Sequence, residues 1–129
     1  MTDRELFDRA CAMLDIAYVP YSKFKVGACL LADDGRAFGG CNVENASYGA
    51  TICAERTAVV KAVSEGATRF TKIAVVGVSA PAWPCGICRQ VLYEFGDELE
   101  VICGAASTGE FEVMKLTDIL PKAFGPKDL

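Results

Sequence analysis

CAERTAVVKAVS (residues 53–64), followed by the apolar run IAVVGV (residues 73–78), is the part of the sequence that decides the fold. The first segment predicts a helix, with Thr51 as a candidate cap and Gly66 beyond its end. This helix is apolar on nearly every side, so we expect one face to pack on a sheet of its own chain, and another subunit is a candidate for the other face. The second segment predicts a strand that is continuously apolar.

The segments on either side predict the remaining elements. Helical patterns cover residues 3–17 and 86–95, and a short turn covers residues 117–120. Short β-like runs lie at residues 26–31, 36–43, 100–103 and 111–115. The Asp34-Gly35 pair between the first two runs suits a tight antiparallel hairpin. This order predicts an α/β fold, a three-layer α/β/α sandwich around a mixed sheet of about five strands.

Length and composition limit the classes of protein. The 129 residues predict a single domain over residues 1–129. No apolar run approaches the roughly 20 residues of a membrane helix, and the charged N-terminus lacks the pattern of a secretory signal, so we expect a cytoplasmic protein. A net charge of −4 without a Lys/Arg cluster argues against nucleic acid and favours a small substrate. The hydrophobic content of 52% suggests a buried subunit interface.

The chain contains seven cysteines and no histidine, which removes the commonest metal ligand and the commonest acid/base group. Pro84-Cys85-Gly86-Ile87-Cys88 places two thiols three residues apart at a helix start, where the dipole favours thiolate. Trp83 before this motif superficially resembles the Trp-Cys-x-x-Cys of thioredoxin-like redox proteins. However, Trp83 is not adjacent to Cys85, and thioredoxin-like domains carry the motif early, with most of their sheet after it.

Cys53, at the start of the predicted central helix, is the natural third thiol ligand. Three protein ligands leave one tetrahedral position of Zn²⁺ for water, as in a catalytic site, whereas a fourth ligand closes the site. A closed structural site is the alternative, and its fourth ligand would come from Cys11, Cys29, Cys41 or Cys103. These cysteines lie in predicted helices or strands, where a lone cysteine is more often a small buried residue.

Three charged residues stand beside these thiols in the sequence. Glu55 begins a nearly apolar helix, and burial there would raise its pKa toward the range useful for proton transfer. A solvated first-turn glutamate is the alternative interpretation. Arg56, beside Glu55, and Arg89, beside Cys88, are candidates to donate hydrogen bonds to ligand sulfurs, and ordinary surface arginines are the alternative.

Several motifs resemble one known enzyme family. Cys53-Ala54-Glu55 together with the Cys-x-x-Cys at residues 85–88 is similar to the motif of zinc-dependent deaminases, with Cys in place of the His of the His-x-Glu variant. Nearly the whole chain resembles cytidine deaminases of the short, all-cysteine, homotetrameric type. The stretches that carry this resemblance are YSKFKVGA (21–28), NVENASYG (42–49), ICAERTA (52–58) and PCGICRQVL (84–92).

The resemblance implies hydrolytic deamination of cytidine and deoxycytidine to uridine and deoxyuridine with release of ammonia, a reaction of pyrimidine salvage. It implies one Zn²⁺ per subunit, proton transfer by Glu55, and a homotetramer whose sites are completed across subunits. A deaminase of a modified cytosine nucleoside such as blasticidin S and a non-catalytic structural-zinc module are the alternatives. Ile87, where the family usually carries a smaller residue, and Trp83 bear on substrate preference rather than on metal binding.

The resemblance also implies a set of substrate contacts. Asn42 and Glu44 would hydrogen-bond the ribose hydroxyls, Phe24 would pack by the pyrimidine ring, and the Ala54 backbone would meet the base. Phe124 and Tyr48 would act across a subunit boundary. From the residues alone, Asn42 and Glu44 also suit ordinary polar positions at a strand end. Phe24 likewise suits the core, and Phe124 suits an ordinary aromatic position in the C-terminal tail.

Overall fold

The computed structural model describes residues 1–129 and contains five strands and four α-helices. The strands are β1 (Val26–Ala32), β2 (Ala37–Cys41), β3 (Phe70–Gly77), β4 (Glu100–Ala105) and β5 (Phe111–Lys115). The helices are α1 (Asp3–Ala12), α2 (Ala54–Ser64), α3 (Gly86–Glu94) and α4 (Leu116–Ile119). Short 3₁₀ turns lie at Met13–Ile16, Tyr48–Ala50 and Pro126–Asp128. No helix is both long and apolar enough to cross a membrane.

All five strands form one sheet in the order β2-β1-β3-β4-β5. β3 and β4 are parallel, with Val75 paired to Cys103, and the other neighbouring strands are antiparallel. A parallel pair needs a crossover connection, and α3 lies in the segment that makes it. The predicted mixed sheet is therefore confirmed.

Helices cover both faces of this sheet. Side chains alternate between the two faces of a strand, so Ala74 and Val76 of β3 face α1, where they pack with Leu6, Phe7 and Ala10. The opposite face carries the larger core cluster, to which α2 and α3 contribute their buried residues. This arrangement confirms the three-layer α/β/α prediction.

One side of α2 remains uncovered within the chain. Ala58 and Ala62 are fully buried against the sheet, whereas Val60 and Val63 on the outer side are each more than a third exposed. A helix with apolar residues on both sides is typical of a second packing surface. The contact of α2 with another subunit stays a prediction, and these two valines mark where it would lie.

Several element boundaries differ from those that the sequence predicts. The first helix ends at Ala12 rather than residue 17, because the chain tightens into a 3₁₀ turn in which the Ala17 amide bonds to the Leu14 carbonyl. β2 ends at Cys41, since Val43 instead forms an isolated bridge to Ile52.

The prediction of Thr51 as a cap is wrong. Cys53 is the N-cap residue of α2 and makes no side-chain capping hydrogen bond. The Thr51 hydroxyl lies too early in the chain and instead accepts from the Asn45 amide.

Gly40 allows β2 to approach the start of α2 closely. A Cβ atom at this position would lie 2.4 Å from the Ala54 carbonyl oxygen, far inside van der Waals contact. Only glycine avoids this overlap, so the first turn of α2 rests directly on the strand. The position of the adjacent Cys53 is thereby set by backbone packing.

Candidate metal centre and active site

Two helix starts bring three thiols together. Cys53 and Cys85 are the N-cap residues of α2 and α3, and Cys88 lies in the first turn of α3. The three sulfur atoms all lie within 4.8 Å of one another, and Cys53 Sγ and Cys85 Sγ are 4.0 Å apart. A tetrahedral Zn²⁺ with Zn–S bonds near 2.3 Å would separate its sulfur ligands by roughly 3.8 Å. The spacing and chemistry of the three thiols therefore fit zinc.

No fourth ligand joins this group of thiols. Cys53, Cys85 and Cys88 form the only cluster of three or more potential metal ligands in the chain. Cys103 belongs to the core on the α2 side of the sheet, Cys29 to the core on the α1 side, and the Cys41 thiol donates to the Ile16 carbonyl. The arrangement thus leaves one tetrahedral position open, as catalytic zinc sites do.

The thiol of Cys53 is disposed to ionise. The Cys88 thiol close to the Cys53 sulfur favours the ionised form of Cys53, and Arg56 adds a donor and a positive charge. Together these contacts lower the pKa of Cys53 to about 5. The same pairing with Cys53, together with burial, raises the pKa of Cys88, because the pair ionises at Cys53 first. A thiolate is the form that binds a metal.

Glu55 is buried beside these thiols. Its side chain is only 4% exposed, so the alternative of a solvated first-turn glutamate is wrong. Desolvation raises the pKa of Glu55 to about 7, and the negative charge of Cys53 adds to this effect. A carboxyl group with this pKa exchanges protons readily near neutral pH.

The two arginines make different contacts. Arg56 donates to the Cys53 sulfur over 3.6 Å and to the Thr51 carbonyl over 3.3 Å, as expected for a residue that supports a ligand. The sulfur contact expected of Arg89 is absent, which corrects that prediction. Arg89 instead donates to the carbonyl oxygens of Pro84 and Ile119, so its guanidinium is engaged by backbone on both sides rather than by a ligand sulfur.

Asn42 and Glu44 flank the short bridge next to the metal centre. Both neighbour Val43, which pairs with Ile52 immediately before Cys53. The Asn42 amide accepts from the Val26 N–H and donates to the Phe24 carbonyl. These two bonds fix the start of β1 and hold the Phe24 backbone beside the bridge.

The Glu44 carboxylate is held by a neighbouring loop. It accepts hydrogen bonds from the amides of Tyr21 and Ser22 and from the Ser22 hydroxyl, which keep its pKa below the usual range. Ser22 was not among the sequence-predicted site residues. Its only advance indication was its place inside the YSKFKVGA motif, where its partner lies more than twenty residues away.

The aromatic candidates are exposed within the single chain. Phe24 is 57% exposed, so its alternative assignment to the core is wrong, and Phe124 and Tyr48 are 61% and 76% exposed. Ala54, in contrast, is fully buried. Next to Glu44, a cavity of about 410 Å³ is lined by Tyr21, Ser22, Glu44, Asn45, Tyr48 and Thr51. The structure thus brings Tyr48 to the cavity beside Glu44 and leaves Phe124 on the C-terminal segment.

Three clustered thiols that can hold zinc with one coordination position open, beside a buried carboxyl group whose pKa is raised to about 7, make the arrangement of a site for metal-assisted hydrolysis. Comparisons with known proteins give the family. Residues 1–105 match the family described as the cytidine and deoxycytidylate deaminase zinc-binding region. The chain therefore belongs to the cytidine and deoxycytidylate deaminase family.

Individual relatives agree with this assignment. The chain is 44% identical over 129 residues to a cytidine deaminase of Halalkalibacterium halodurans, covering 98% of each protein. It is 49% identical over 114 residues to a cytidine deaminase of Sporosarcina psychrophila, covering 88% of this chain and 84% of that protein. The crystal structure of cytidine deaminase from Burkholderia pseudomallei superposes with a TM-score of 0.91 at 49% identity, covering 96% of this chain and 100% of that one.

Proposed function

We propose that this protein is a zinc-dependent cytidine deaminase that converts cytidine and deoxycytidine to uridine and deoxyuridine and releases ammonia. The observation that carries the proposal is the convergence of three thiols on one open site beside the buried carboxyl of Glu55. Relatives named cytidine deaminase that match almost the whole chain support the choice of substrate.

The metal-binding role falls to Cys53, Cys85 and Cys88, with one ion per subunit. Zinc held by these sulfurs would supply the Lewis acidity that makes water a nucleophile near neutral pH. Three thiolates leave a divalent ion with a net charge of −1, which opposes the ionisation of water. Arg56 offsets part of this charge, because it donates to the Cys53 sulfur and carries a positive charge next to it.

Glu55 carries the protons between water and substrate. It accepts one proton from the attacking water and donates it to N3 of the cytosine ring, while the water oxygen adds to C4. It then takes the second proton of that water and delivers it to the amino group, so that the C4–N4 bond breaks and ammonia leaves. The raised pKa of Glu55 suits both directions of transfer.

The nucleoside is placed by residues around the Val43–Ile52 bridge. Asn42 and Glu44 hydrogen-bond the ribose hydroxyls, Phe24 packs by the pyrimidine ring, and the Ala54 backbone meets the base. Support comes from the bridge itself, which joins the Asn42–Glu44 segment to the residue before Cys53. The exposed ring of Phe24 leaves an apolar face available for a base.

The complete enzyme is a cytoplasmic homotetramer that serves pyrimidine salvage, and Tyr48 and Phe124 complete sites across subunits. Both rings are exposed in the isolated chain, and the outer side of α2 carries exposed Val60 and Val63. Exposed apolar groups of this kind support a subunit interface.

One assay tests the proposed function. Zinc-loaded protein is mixed separately with cytidine, deoxycytidine, cytidine monophosphate and blasticidin S, and the change in ultraviolet absorbance is followed with and without a chelator. We expect turnover of cytidine and deoxycytidine that the chelator abolishes. Absence of turnover with all four compounds would refute the proposal. Turnover of blasticidin S alone would show that the substrate is a modified cytosine nucleoside rather than cytidine.

A further inference from the structure

The C-terminal segment after α4 lies along α3, the helix that carries two of the three thiols. Gly125 is buried against Tyr93 of α3, and a Cβ atom at Gly125 would lie 2.4 Å from the Tyr93 ring. Lys127 and Tyr93 line the same surface cavity. The end of the chain is thus seated on a helix whose first turn holds Cys85 and Cys88.

Arg89 connects this segment to the metal-binding loop. Its Nε donates to the Pro84 carbonyl over 2.7 Å, and its Nη1 donates to the Ile119 carbonyl over 2.7 Å. Pro84 immediately precedes the ligand Cys85, and Ile119 is the last residue of α4. A rigid guanidinium plane therefore links the backbone before a ligand to the backbone where the C-terminal segment begins.

Gln90 holds the same segment five residues further on. Its side-chain amide donates to the Phe124 carbonyl over 2.8 Å, while the Phe124 ring stays 61% exposed. Between these two attachment points Lys122 has φ of 53°, a left-handed conformation that costs a non-glycine residue free energy. Such a conformation persists only where surrounding contacts hold the backbone in place.

We propose that Arg89 and Gln90 together form a tail clamp, a pair of positioning residues that lock residues 119–125 onto α3. The clamp fixes the direction of the Phe124 ring relative to the metal-binding helix, and its Arg89 half also steadies the backbone before Cys85. In so far as Phe124 completes a neighbouring subunit's nucleoside site, this inference rests on the proposed function. The clamp itself is a property of the folded chain.

Limited proteolysis tests the clamp without reference to activity. Trypsin cuts the Lys122–Ala123 bond only when the local segment opens, so the rate of cutting follows the population of the open form. Gln90→Glu keeps the shape of the side chain but replaces the donor with an acceptor, and we expect about three- to tenfold faster cutting at this bond. Arg89→Lys replaces the guanidinium, which donates to two carbonyl oxygens at once, with a compact ammonium. We expect this variant to be cut faster at the same bond as well.

Arg9→Lys is the matched control for Arg89→Lys, because Arg9 is exposed on α1, on the other face of the sheet, and makes no side-chain hydrogen bond. We expect cutting of the Lys122–Ala123 bond at the wild-type rate in this variant. Wild-type cutting rates in both clamp variants would overturn the proposal. Circular dichroism spectra that match the wild type confirm that a faster cut reports local opening.

Two further measurements separate the halves of the clamp. Zinc release to a chromogenic chelator should be several-fold faster in Arg89→Lys and unchanged in Gln90→Glu, because only Arg89 contacts the loop before Cys85. With cytidine, Gln90→Glu should raise KM several-fold and leave kcat near the wild-type value, as expected for a displaced binding group.

Unchanged zinc release in Arg89→Lys would refute the link to the metal loop, and an unchanged KM in Gln90→Glu would refute the link to the nucleoside. If wild-type protein fails to turn over cytidine, the proposed function falls while the proteolysis and zinc results still decide the clamp.

Discussion

At the scale of single residues, the burial of Glu55 raises its pKa and so bears directly on its proposed role in proton transfer. Glu55→Gln removes the proposed proton carrier and keeps the size of the side chain. Because Glu55 is not among the clustered ligand atoms, we expect normal zinc content and a loss of kcat of about 10²- to 10⁴-fold or more. Zinc content and the rate of cytidine turnover are measured on the same preparation. Glu65→Gln, an exposed change just beyond the same helix, should leave both unchanged.

The pH dependence of the reaction follows from the same side chain. Burial raises the pKa of Glu55 from 4.5 to about 7, so the ionised form that accepts the water proton predominates only above that pH. We expect kcat/KM for cytidine to fall about tenfold per pH unit on the acid side of this value and to level off above it. A plateau that extends down to pH 5, with zinc still bound, would contradict this assignment.

The sequence predicted some residues well and could not predict others. Cys53, Cys85 and Cys88 are close together as predicted, because two of them share one helix start and the third begins a helix of the same layer. Ser22 was missed, and the contact of Arg89 was wrong. Ser22 meets Glu44 and Arg89 meets Ile119, partners more than twenty residues away, and the local contact of Arg89 is to a backbone carbonyl, so no local spacing of side chains could reveal the atoms that they meet.

At the scale of elements, the contact of β2 with α2 offers a direct test. Gly40→Ala places a methyl group where only 2.4 Å separates it from the Ala54 carbonyl oxygen, so strand and helix must move apart. We expect a loss of about 1–3 kcal/mol in the free energy of unfolding of the zinc-loaded protein, measured by urea denaturation. Gly49→Ala is the control, because no atom lies within 4 Å of its added Cβ and the effect should be small. Equal stabilities for the two variants would argue against close packing at Gly40.

The elements themselves followed from periodicity, and β5 has the predicted ends, whereas several other ends differ from the prediction. The central helix and strand and the Asp34-Gly35 hairpin were predicted because apolar patterns and turn residues act locally. The end of β2 was missed because Val43 forms an isolated bridge with Ile52 instead of continuing the pairing of β2 with β1. The cap of α2 was missed because Cys53, a poor capping residue by propensity, occupies that position.

At the scale of the whole molecule, the exposed side of α2 tests the predicted oligomer. Val60→Glu adds a charge at a site that is exposed in the single chain, so the fold of one subunit should tolerate it. In a subunit interface the same charge would be buried without a partner, and we expect the tetramer to dissociate. Sedimentation velocity measures the outcome. Thr68→Glu, which adds the same charge to an exposed loop, should leave the assembly intact.

Sharing of sites between subunits can be tested by mixing. Glu55→Gln and Phe124→Ala subunits are unfolded, mixed and refolded together with zinc. If Phe124 completes a neighbouring site, hybrid tetramers contain some sites with both Glu55 and a neighbour's Phe124. We expect kcat/KM of the mixture to exceed the average of the two parents. A strictly average value would place Phe124 outside its neighbour's site.

The helix starts at Cys53 and Cys85 affect the local stability of the protein when the metal is lost. Neither N-cap makes a side-chain hydrogen bond to the amides that it precedes, since each offers a sulfur where other helices offer an oxygen. A zinc ion held by Cys53, Cys85 and Cys88 would therefore hold the first turns of two helices together. Loss of that ion should loosen both ends together, and amide hydrogen exchange should accelerate in step across the first turns of α2 and α3. A bound zinc ion would then stabilise the fold of both helix starts in addition to its proposed part in the reaction.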